Sequence, residues 1–265
     1  MSTVLYGSPI FGPVESRRLG VSLGVNLNPA AHKICSFDCI YCECGFNRNA
    51  IFPQTEEHTI PKRETVSKRL EETLQKMRSE GKFLDVITFA GNGEPTLHPD
   101  FSGVIDDTIR LRDEYYPKAH IAVLTNGTRV TDKGVLEALR RVDKPCVKID
   151  SMDMKVVREL DRPTGSNYDV ANVVKALVEG ELNNLVIQTM FCRWQNESGV
   201  WVDNMGIKAI DLWIDMLRQV SPAELHIYTI SRETPYKAMA TATREELEAI
   251  GEEARAYVDY VYVAK

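Results

Sequence analysis

Residues 33–46, KICSFDCIYCECGF, place four of the chain's six cysteines within ten positions. They are Cys35, Cys39, Cys42 and Cys44. Thiolates crowded in this way are typical of a zinc site or an iron–sulfur cluster. Four protein ligands would close either kind of site, whereas three would leave one iron of a [4Fe–4S] cluster open to another molecule. The role of Cys44 therefore separates a structural site from a reaction centre.

The spacing Cys35-x3-Cys39-x2-Cys42 favours a cluster over zinc. Three thiolates on a short loop can each bind a different iron of one cubane face. A zinc site would also require Cys44, which lies only two positions after Cys42 and strains tetrahedral closure. The aromatic Tyr41 between these cysteines is expected to shield a cluster from water.

Composition and charge narrow the class of protein. The 265 residues are 43% apolar, which suits one large core, and the formal net charge of −6 does not favour a protein that mainly binds RNA. No apolar run approaches about 18 residues, so we expect no membrane span. The start of the chain lacks the pattern of a secretory signal, and crowded cysteines predict a reducing cytoplasm. The isolated Cys146 and Cys192 are expected to be small buried side chains.

Strand-like and helix-like segments alternate along the chain. The strand-like runs are 21–27, 84–90, 119–125, 145–150, 184–192 and 223–230. The helical candidates are 64–80, 103–115, 131–141, 168–182, 205–220 and 243–257. This alternation predicts right-handed βαβ units and a parallel sheet. We expect a partial (β/α)6 barrel of the TIM type, with a doubly wound open sheet as the alternative and YVDYVYV as a possible edge strand.

We expect a single domain over residues 1–265. Its parts are a lead-in segment at 1–20, a core barrel at 21–235, and a C-terminal helix with the possible edge strand at 236–265. Functional groups of parallel α/β folds gather beyond the carboxyl ends of the strands. The cysteine run follows the first strand, and GNGEP, NGT, DSMD, RWQN and SRETP follow the next five. All of these loops are predicted on one rim.

The segment Cys35-Ser-Phe-Asp-Cys39-Ile-Tyr-Cys42 resembles the signature of the radical S-adenosylmethionine (radical SAM) superfamily, including the aromatic residue before the third cysteine. The likeness extends, in the expected order, to FAGNGEPTLHPDF, LTNGT and DRPTG. FGPVESRRLGVSLGVNL and IYTISRETP resemble a branch of small, single-domain iron–sulfur oxidoreductases related to wyosine-type tRNA synthases. The resemblance implies a [4Fe–4S] cluster held by three cysteines, with S-adenosylmethionine (SAM) on the open iron.

The resemblance also implies a reaction. An electron from the reduced cluster breaks a C–S bond of the SAM sulfonium, and the resulting 5′-deoxyadenosyl radical removes a hydrogen atom from a substrate. The protein orients the cofactor and excludes water. Cys44 is then a bystander, because a fourth thiolate would block the open iron. An electron donor such as flavodoxin or ferredoxin is implied as a partner.

The motif GNGEP, residues 91–95, resembles the Gly-Gly-Glu element of the superfamily, with Asn92 between the glycines. Glycines let the backbone turn and approach a ligand closely. The pair Gly93 and Glu94 carries the match, and the Glu94 carboxylate is expected to accept hydrogen bonds from the amine of SAM. An ordinary turn with a surface glutamate is the alternative.

Polar residues also end the third and fourth strands. Asn126 follows the third strand and is expected near the methionine or ribose of SAM, although Asn-Gly is also an ordinary turn signal. The run VKIDSMD alternates, so Lys148 and Asp150 share one face. Asp150 is expected to accept ribose hydrogen bonds, and Lys148 to neutralise it or to meet a carboxylate. A buried Lys–Asp ion pair is the alternative.

The fifth and sixth predicted strands carry further candidate site residues. Arg193, at the end of the fifth strand, is expected to pair with the SAM carboxylate or an anionic substrate. Tyr228 and Ile230 are expected to form a wall beside the adenine. His226 shares their face and is either a structural residue or a catalytic acid. The loop that begins at Asp161 is expected to line the substrate mouth.

The adjacent Arg17 and Arg18 are suited to clamping a phosphate or carboxylate, or to forming a solvated pair or a salt bridge. The favoured hypothesis is a radical SAM enzyme acting on a small or peptidic substrate. The alternatives are modification of a tRNA base, for which RNA would be the partner, and radical activation of a partner protein. A closed iron–sulfur or zinc protein is the hypothesis without catalysis, and it requires Cys44 as a ligand.

Overall fold

The computed structural model describes residues 4–48 and 52–264. Its strands are β1 (Ile10–Ser16), β2 (Gly20–Val25), β3 (Val86–Phe89), β4 (His120–Thr125), β5 (Lys144–Lys148), β6 (Val186–Met190), β7 (Cys192–Gln195), β8 (Trp201–Asp203), β9 (Glu224–Tyr228), β10 (Met239–Thr241) and β11 (Tyr260–Val263). Its helices are α1 (Arg63–Ser79), α2 (Phe101–Tyr115), α3 (Lys133–Arg140), α4 (Met154–Leu160), α5 (Val170–Gly180), α6 (Ile207–Val220) and α7 (Arg244–Ala254). Within the same ranges, none of the helices combines the length and the apolar character needed to cross a lipid bilayer.

Most of the strands form one curled sheet of the order β1-β2-β3-β4-β5-β6-β9-β11. Neighbouring strands from β2 to β11 are parallel, and β1 is antiparallel to β2. The turn between β1 and β2 reaches the segment after β9, where Arg17 donates a hydrogen bond of 3.1 Å to Ser231. The predicted partial (β/α)6 barrel is confirmed, and YVDYVYV supplies the edge strand β11.

The two faces of the curled sheet differ in polarity. The outward-facing residues belong to the main apolar core under the helices and include Leu23, Val25, Ile87, Phe89, Ile121, Val123, Val147, Ile187 and Ile227. The residues between them are small or polar and include Ser22, Thr88, Ala122, Cys146, Gln188 and His226. Because side chains alternate along a strand, this second set faces the interior of the barrel. The sheet therefore keeps its apolar side for packing and its polar side for the lumen.

Two segments depart from the expected strand pattern. Residues 10–16 of the predicted lead-in form β1, whose pairing with β2 is interrupted between Phe11 and Val14. The strand predicted over 184–192 is also too long, because β6 ends at Met190 and the chain enters a second sheet of the order β10-β7-β8.

The early end of β6 is caused by Asn204, a distant residue. Its side-chain amide donates to the carbonyl of Met190 at 2.7 Å, and its oxygen accepts from the amide of Cys192 at 3.0 Å. These bonds take up the backbone groups on which a continuing strand would depend. Arg193 therefore lies in β7 of the second sheet and not at the carboxyl end of a barrel strand.

Candidate active site

The cysteine loop connects β2 to α1 and lies across the carboxyl ends of the barrel strands. Isolated bridges join Ile34 to Gly93 on one side and Phe37 to Pro163 on the other. Cys39 is buried, and Cys35 and Cys42 are half-buried in the same apolar cluster around the loop. The cysteine loop is thus fastened to the GNGEP turn and to the segment at Pro163.

The contact between the cysteine loop and the GNGEP turn requires glycine at position 93. Gly93 has a φ of 137°, and a Cβ placed there would lie 1.8 Å from the carbonyl oxygen of Ile34. The amide of Glu94 donates to that same carbonyl at 3.0 Å. A side chain at position 93 would therefore force the cysteine loop away from the turn.

Asn92, which interrupts the two glycines, ties three segments together. Its side chain is fully buried and exchanges hydrogen bonds with the backbone of Tyr6, at 2.8 and 3.0 Å. It also donates to the carbonyl of Pro29 at 2.8 Å, and its own amide donates to the side chain of Asn26 at 3.0 Å. Asn92 is thus a structural link between the turn, the N-terminal segment and the start of the cysteine loop.

Glu94 is buried beside this link and is held by hydrogen bonds from its neighbours. Its Oε1 accepts from the hydroxyls of Thr96 and Thr125, each at 2.6 Å, and its Oε2 accepts from the amide of Asn126 at 2.8 Å. Burial raises the pKa of Glu94, and these hydrogen bonds oppose the rise. The side-chain amide of Asn126 in turn lies 3.6 Å from the sulfur of Cys35. The structure thus brings together Glu94, Asn126 and the first cysteine.

A buried polar network supports the other side of the loop. Lys148 forms ion pairs with Asp150, at 2.8 Å, and with Asp161. The Tyr41 hydroxyl donates to both carboxylates, at 3.0 Å to Asp161. Burial lowers the pKa of Lys148, but the two carboxylates outweigh burial and hold that pKa well above its ordinary value.

This network has the geometry of the buried ion pair that was the alternative for Asp150. Both carboxylate oxygens of Asp150 already accept hydrogen bonds, Oδ1 from the amide of Met190 at 2.9 Å and Oδ2 from Tyr41. Its role toward ribose stays a prediction. In the loop that begins at Asp161, the Asp161 side chain is only 3% exposed and lies under the cysteine loop, whereas Arg162 is exposed, and a role of this loop at the substrate mouth stays a prediction.

Two further predicted residues lie away from the cysteine loop. The guanidinium of Arg193 pairs with Glu246 of α7, so the structure does not place it for a SAM carboxylate. His226 is 1% exposed and contacts Gln188 at 3.2 Å and Glu224 at 3.3 Å. These partners satisfy both ring nitrogens, which matches the structural interpretation of His226.

The structure adds two residues that the sequence analysis did not single out. Lys33 has a side-chain exposure of only 2% and donates to the carbonyl of Gly45 at 3.0 Å. Burial lowers the pKa of Lys33, but the neighbouring Cys42, Cys35 and Cys39 outweigh burial. The pKa of Lys33 therefore lies above its ordinary value. Asn47 donates to the backbone carbonyls of Cys35 and Phe37, each at 3.1 Å. In the sequence, only the position of Lys33 and Asn47 within the cysteine loop indicated a role at this site.

Cys44 shares a side-chain hydrogen bond with Cys42 and has a second partner. Its sulfur contacts the carbonyl oxygen of Gly91 at 3.2 Å. Among residues 4–48 and 52–264, no group of three His, Cys, Asp or Glu side chains is arranged to hold a single metal ion. A cubane does not require such an arrangement, because each thiolate binds a different iron. The three half-buried or buried thiols around the cationic Lys33 fit an anionic iron–sulfur cluster by their chemistry.

A cavity of about 340 Å³ opens beside the cysteine loop and extends to the β1–β2 turn. Its lining includes Tyr41, Tyr228 and Ile230, together with Arg17 and Arg18. Burial raises the pKa of Tyr228 to about 12. The structure therefore unites the predicted adenine wall and the arginine pair around one space.

Comparison with known proteins gives a family match. The family model described as Radical SAM superfamily matches residues 32–200. A UPF0026 protein of Methanocaldococcus jannaschii is 38% identical over 58% of this chain and 44% of its own length. A UPF0026 protein of Helicobacter pylori is 28% identical over 86% of this chain and 68% of its own length.

Among solved structures, Streptococcus suis SuiB bound to S-adenosylmethionine superposes with a TM-score of 0.61. The sequence identity is 14%, and the alignment covers 91% of this chain and 50% of SuiB. This similarity shows a shared fold. The chain spans about half the length of SuiB and of the M. jannaschii protein.

Replacing Gly93 with alanine should destabilise the protein by about 2–4 kcal/mol, because the new Cβ meets the backbone of Ile34 and because φ at this position is positive. The matched control is Gly165→Ala, since no atom lies within 4 Å of a Cβ at that position. Urea unfolding followed by circular dichroism measures both. Equal stability of the two variants would contradict the close contact at Gly93.

Replacing Lys148 with methionine should cost about 3–5 kcal/mol, because it leaves two buried carboxylates without their cation. The matched control is Lys144→Met, whose ion pair with Glu224 is more exposed and should cost about 1 kcal/mol or less. Urea unfolding of both variants gives the difference. If Lys144→Met lowered the free energy of unfolding as much as Lys148→Met, the buried network at Tyr41 would contribute no more to stability than the more exposed ion pair.

Proposed function

The chain belongs to the radical SAM superfamily, and on that premise we propose that it is an enzyme whose Cys35, Cys39 and Cys42 hold a [4Fe–4S] cluster. Members of this superfamily use such a cluster together with SAM. When bound, the two supply a carbon-centred radical that removes a hydrogen atom from a substrate. The proposed substrate is a small molecule or a peptide.

The observation that carries the proposal is the position of the three cysteines relative to Cys44. The three lie around Lys33 on a loop at the carboxyl ends of the strands, where functional groups of this architecture gather. Cys44 contacts the Gly91 carbonyl as well as Cys42, and in this proposal the Gly91 contact keeps it from acting as a fourth ligand. A set of three ligands supports an open iron, whereas four would support a closed cluster.

The chain's own residues orient SAM and protect it in this proposal. Glu94 is held by its hydrogen-bond donors so that Oε2 keeps capacity for the amine of SAM. Asn126 lies between Glu94 and Cys35, and Gly93 lets this turn approach the loop. The remaining proposed contacts to SAM are those of Tyr41, Asp150, Tyr228 and Ile230. Lys33 favours the thiolate form of the cysteines through its positive charge.

A substrate and an electron donor complete the proposed reaction. A cavity of about 340 Å³ has the size of a site for a small molecule or for one side chain of a peptide. The net charge of −6 gives no support to an RNA substrate. We propose a one-electron donor of the flavodoxin or ferredoxin type, because reduction of the cluster requires one.

The proposal predicts different results for two neighbouring cysteines. After anaerobic reconstitution and reduction with dithionite, the wild type and Cys44→Ala should form 5′-deoxyadenosine from SAM. Cys42→Ala should form none above background, because it lacks a cluster ligand. Liquid chromatography quantifies the product, and iron and sulfide analysis should show equal loading of wild type and Cys44→Ala.

The closed-cluster hypothesis predicts the opposite pattern. In that case SAM would leave the electron paramagnetic resonance spectrum of the reduced wild-type cluster unchanged, and only Cys44→Ala would respond to it. The spectrum reports ligand exchange at iron whether or not turnover occurs. An unresponsive, fully loaded wild-type cluster would overturn the proposed function.

A further inference from the structure

The cavity beside the cysteine loop contains a guanidinium with an unused hydrogen-bond donor. Arg18 extends from the β1–β2 turn, and its guanidinium carbon lies 4.5 Å from the centre of the Tyr228 ring. Its Nη1 atom is buried and has no hydrogen-bond partner among the described residues. A buried donor without a partner costs about 1–3 kcal/mol, more for a charged group. A ligand that accepts from Nη1 would remove that cost.

The charges around the cavity leave Arg18 as the cation available to a ligand. Three arginines and two glutamates line it: Arg17, Arg18, Arg232, Glu15 and Glu43. Arg232 is paired with Glu43 at 2.5 Å, and Arg17 bonds Ser231. Arg18 stacks on the ring of Tyr228 and also forms a side-chain hydrogen bond with Tyr228, which leaves Nη1 of its planar fork for an anion.

The rest of the cavity wall combines a few apolar side chains with residues of the cysteine loop. Leu124, Met190 and Ile230 provide apolar surface, and Tyr41 belongs to the cysteine loop itself. The lining, taken over the described residues, contains none of the three cysteines of the motif. Arg18 therefore lies where the β1–β2 turn meets β9. Tyr41 lines the same cavity from the cysteine loop.

We propose that Arg18 binds the carboxylate or phosphate of a small substrate whose apolar part contacts Leu124 and Met190. This inference rests on the proposed function and names the class of its substrate. The geometry matches charge-assisted recognition, since a guanidinium offers parallel N–H donors to two oxygens of such a group. The few apolar side chains beside it, in a wall that is otherwise mostly polar, suit an anion attached to a small hydrocarbon or aromatic body.

The test uses the reconstituted protein, without and with saturating SAM, and three probes. Isothermal titration calorimetry compares benzoate with benzamide, its uncharged isostere, and with phenyl phosphate. The wild type should bind benzoate or phenyl phosphate about tenfold or more tightly than benzamide, the preference expected for a charged hydrogen bond. The tighter of the two anions identifies the headgroup.

Variants then assign the preference to one residue. Arg18→Gln should abolish the preference for the anion while leaving benzamide binding within about twofold, and Arg18→Lys should restore part of it. The matched control is Arg17→Gln, in the same turn, which should keep the wild-type preference. A purely structural Arg18 would change the binding of charged and uncharged probes alike.

Three outcomes would overturn the inference. They are equal affinity of the wild type for charged and uncharged probes, survival of the preference in Arg18→Gln, and loss of anion binding when SAM is added, which would assign the subsite to the cofactor carboxylate. The wild-type comparison needs no variant, so equal affinity would overturn the inference even if Arg18→Gln fails to fold. A protein that prefers the anions but never cleaves SAM would contradict the proposed function alone.

Discussion

The close contact of the cysteine loop with the GNGEP turn is the constraint on which the rest of the site depends. Ile34 and Gly93 approach until no side chain fits between them, and Asn92 links the turn to two other segments through its buried amide. A long loop has many conformations and loses much entropy when ordered. Backbone contacts on both sides of the motif fix this one, which positions Cys35 beside Asn126 and Glu94.

The polar side of the barrel is the second constraint. Lys148, Asp150 and Asp161 are buried together, and such a network stabilises a fold only if each charge has its partners. The Tyr41 hydroxyl contacts both carboxylates, so the network also fixes the cysteine loop to the barrel. Arg18 lies in the same lumen, but its Nη1 lacks the partner that the other charges have. That contrast distinguishes structural charges from one suited to a ligand.

Much of the fold was accessible from the sequence, because it depends on local periodicity. Alternating strands and amphipathic helices predicted the parallel partial barrel, and the final YVDYVYV predicted β11. The errors have non-local causes. Asn204 ends β6 from fourteen residues beyond Met190 and moves Arg193 to a second sheet. Residues 10–16 form β1 through pairing with β2, which the interrupted register hides from a pattern search.

The sequence by itself determined the cysteine spacing, the family, and the rim on which the motifs gather, because each depends on residues close together in the chain. Only the tertiary structure decided which distant groups became partners. It placed Asp161 under Tyr41, Glu246 against Arg193, and Arg18 over Tyr228. The physical reason is that the environment of a charged side chain is set by the neighbours that folding brings to it. Spacing along one strand fixes only the face of the sheet on which that side chain lies.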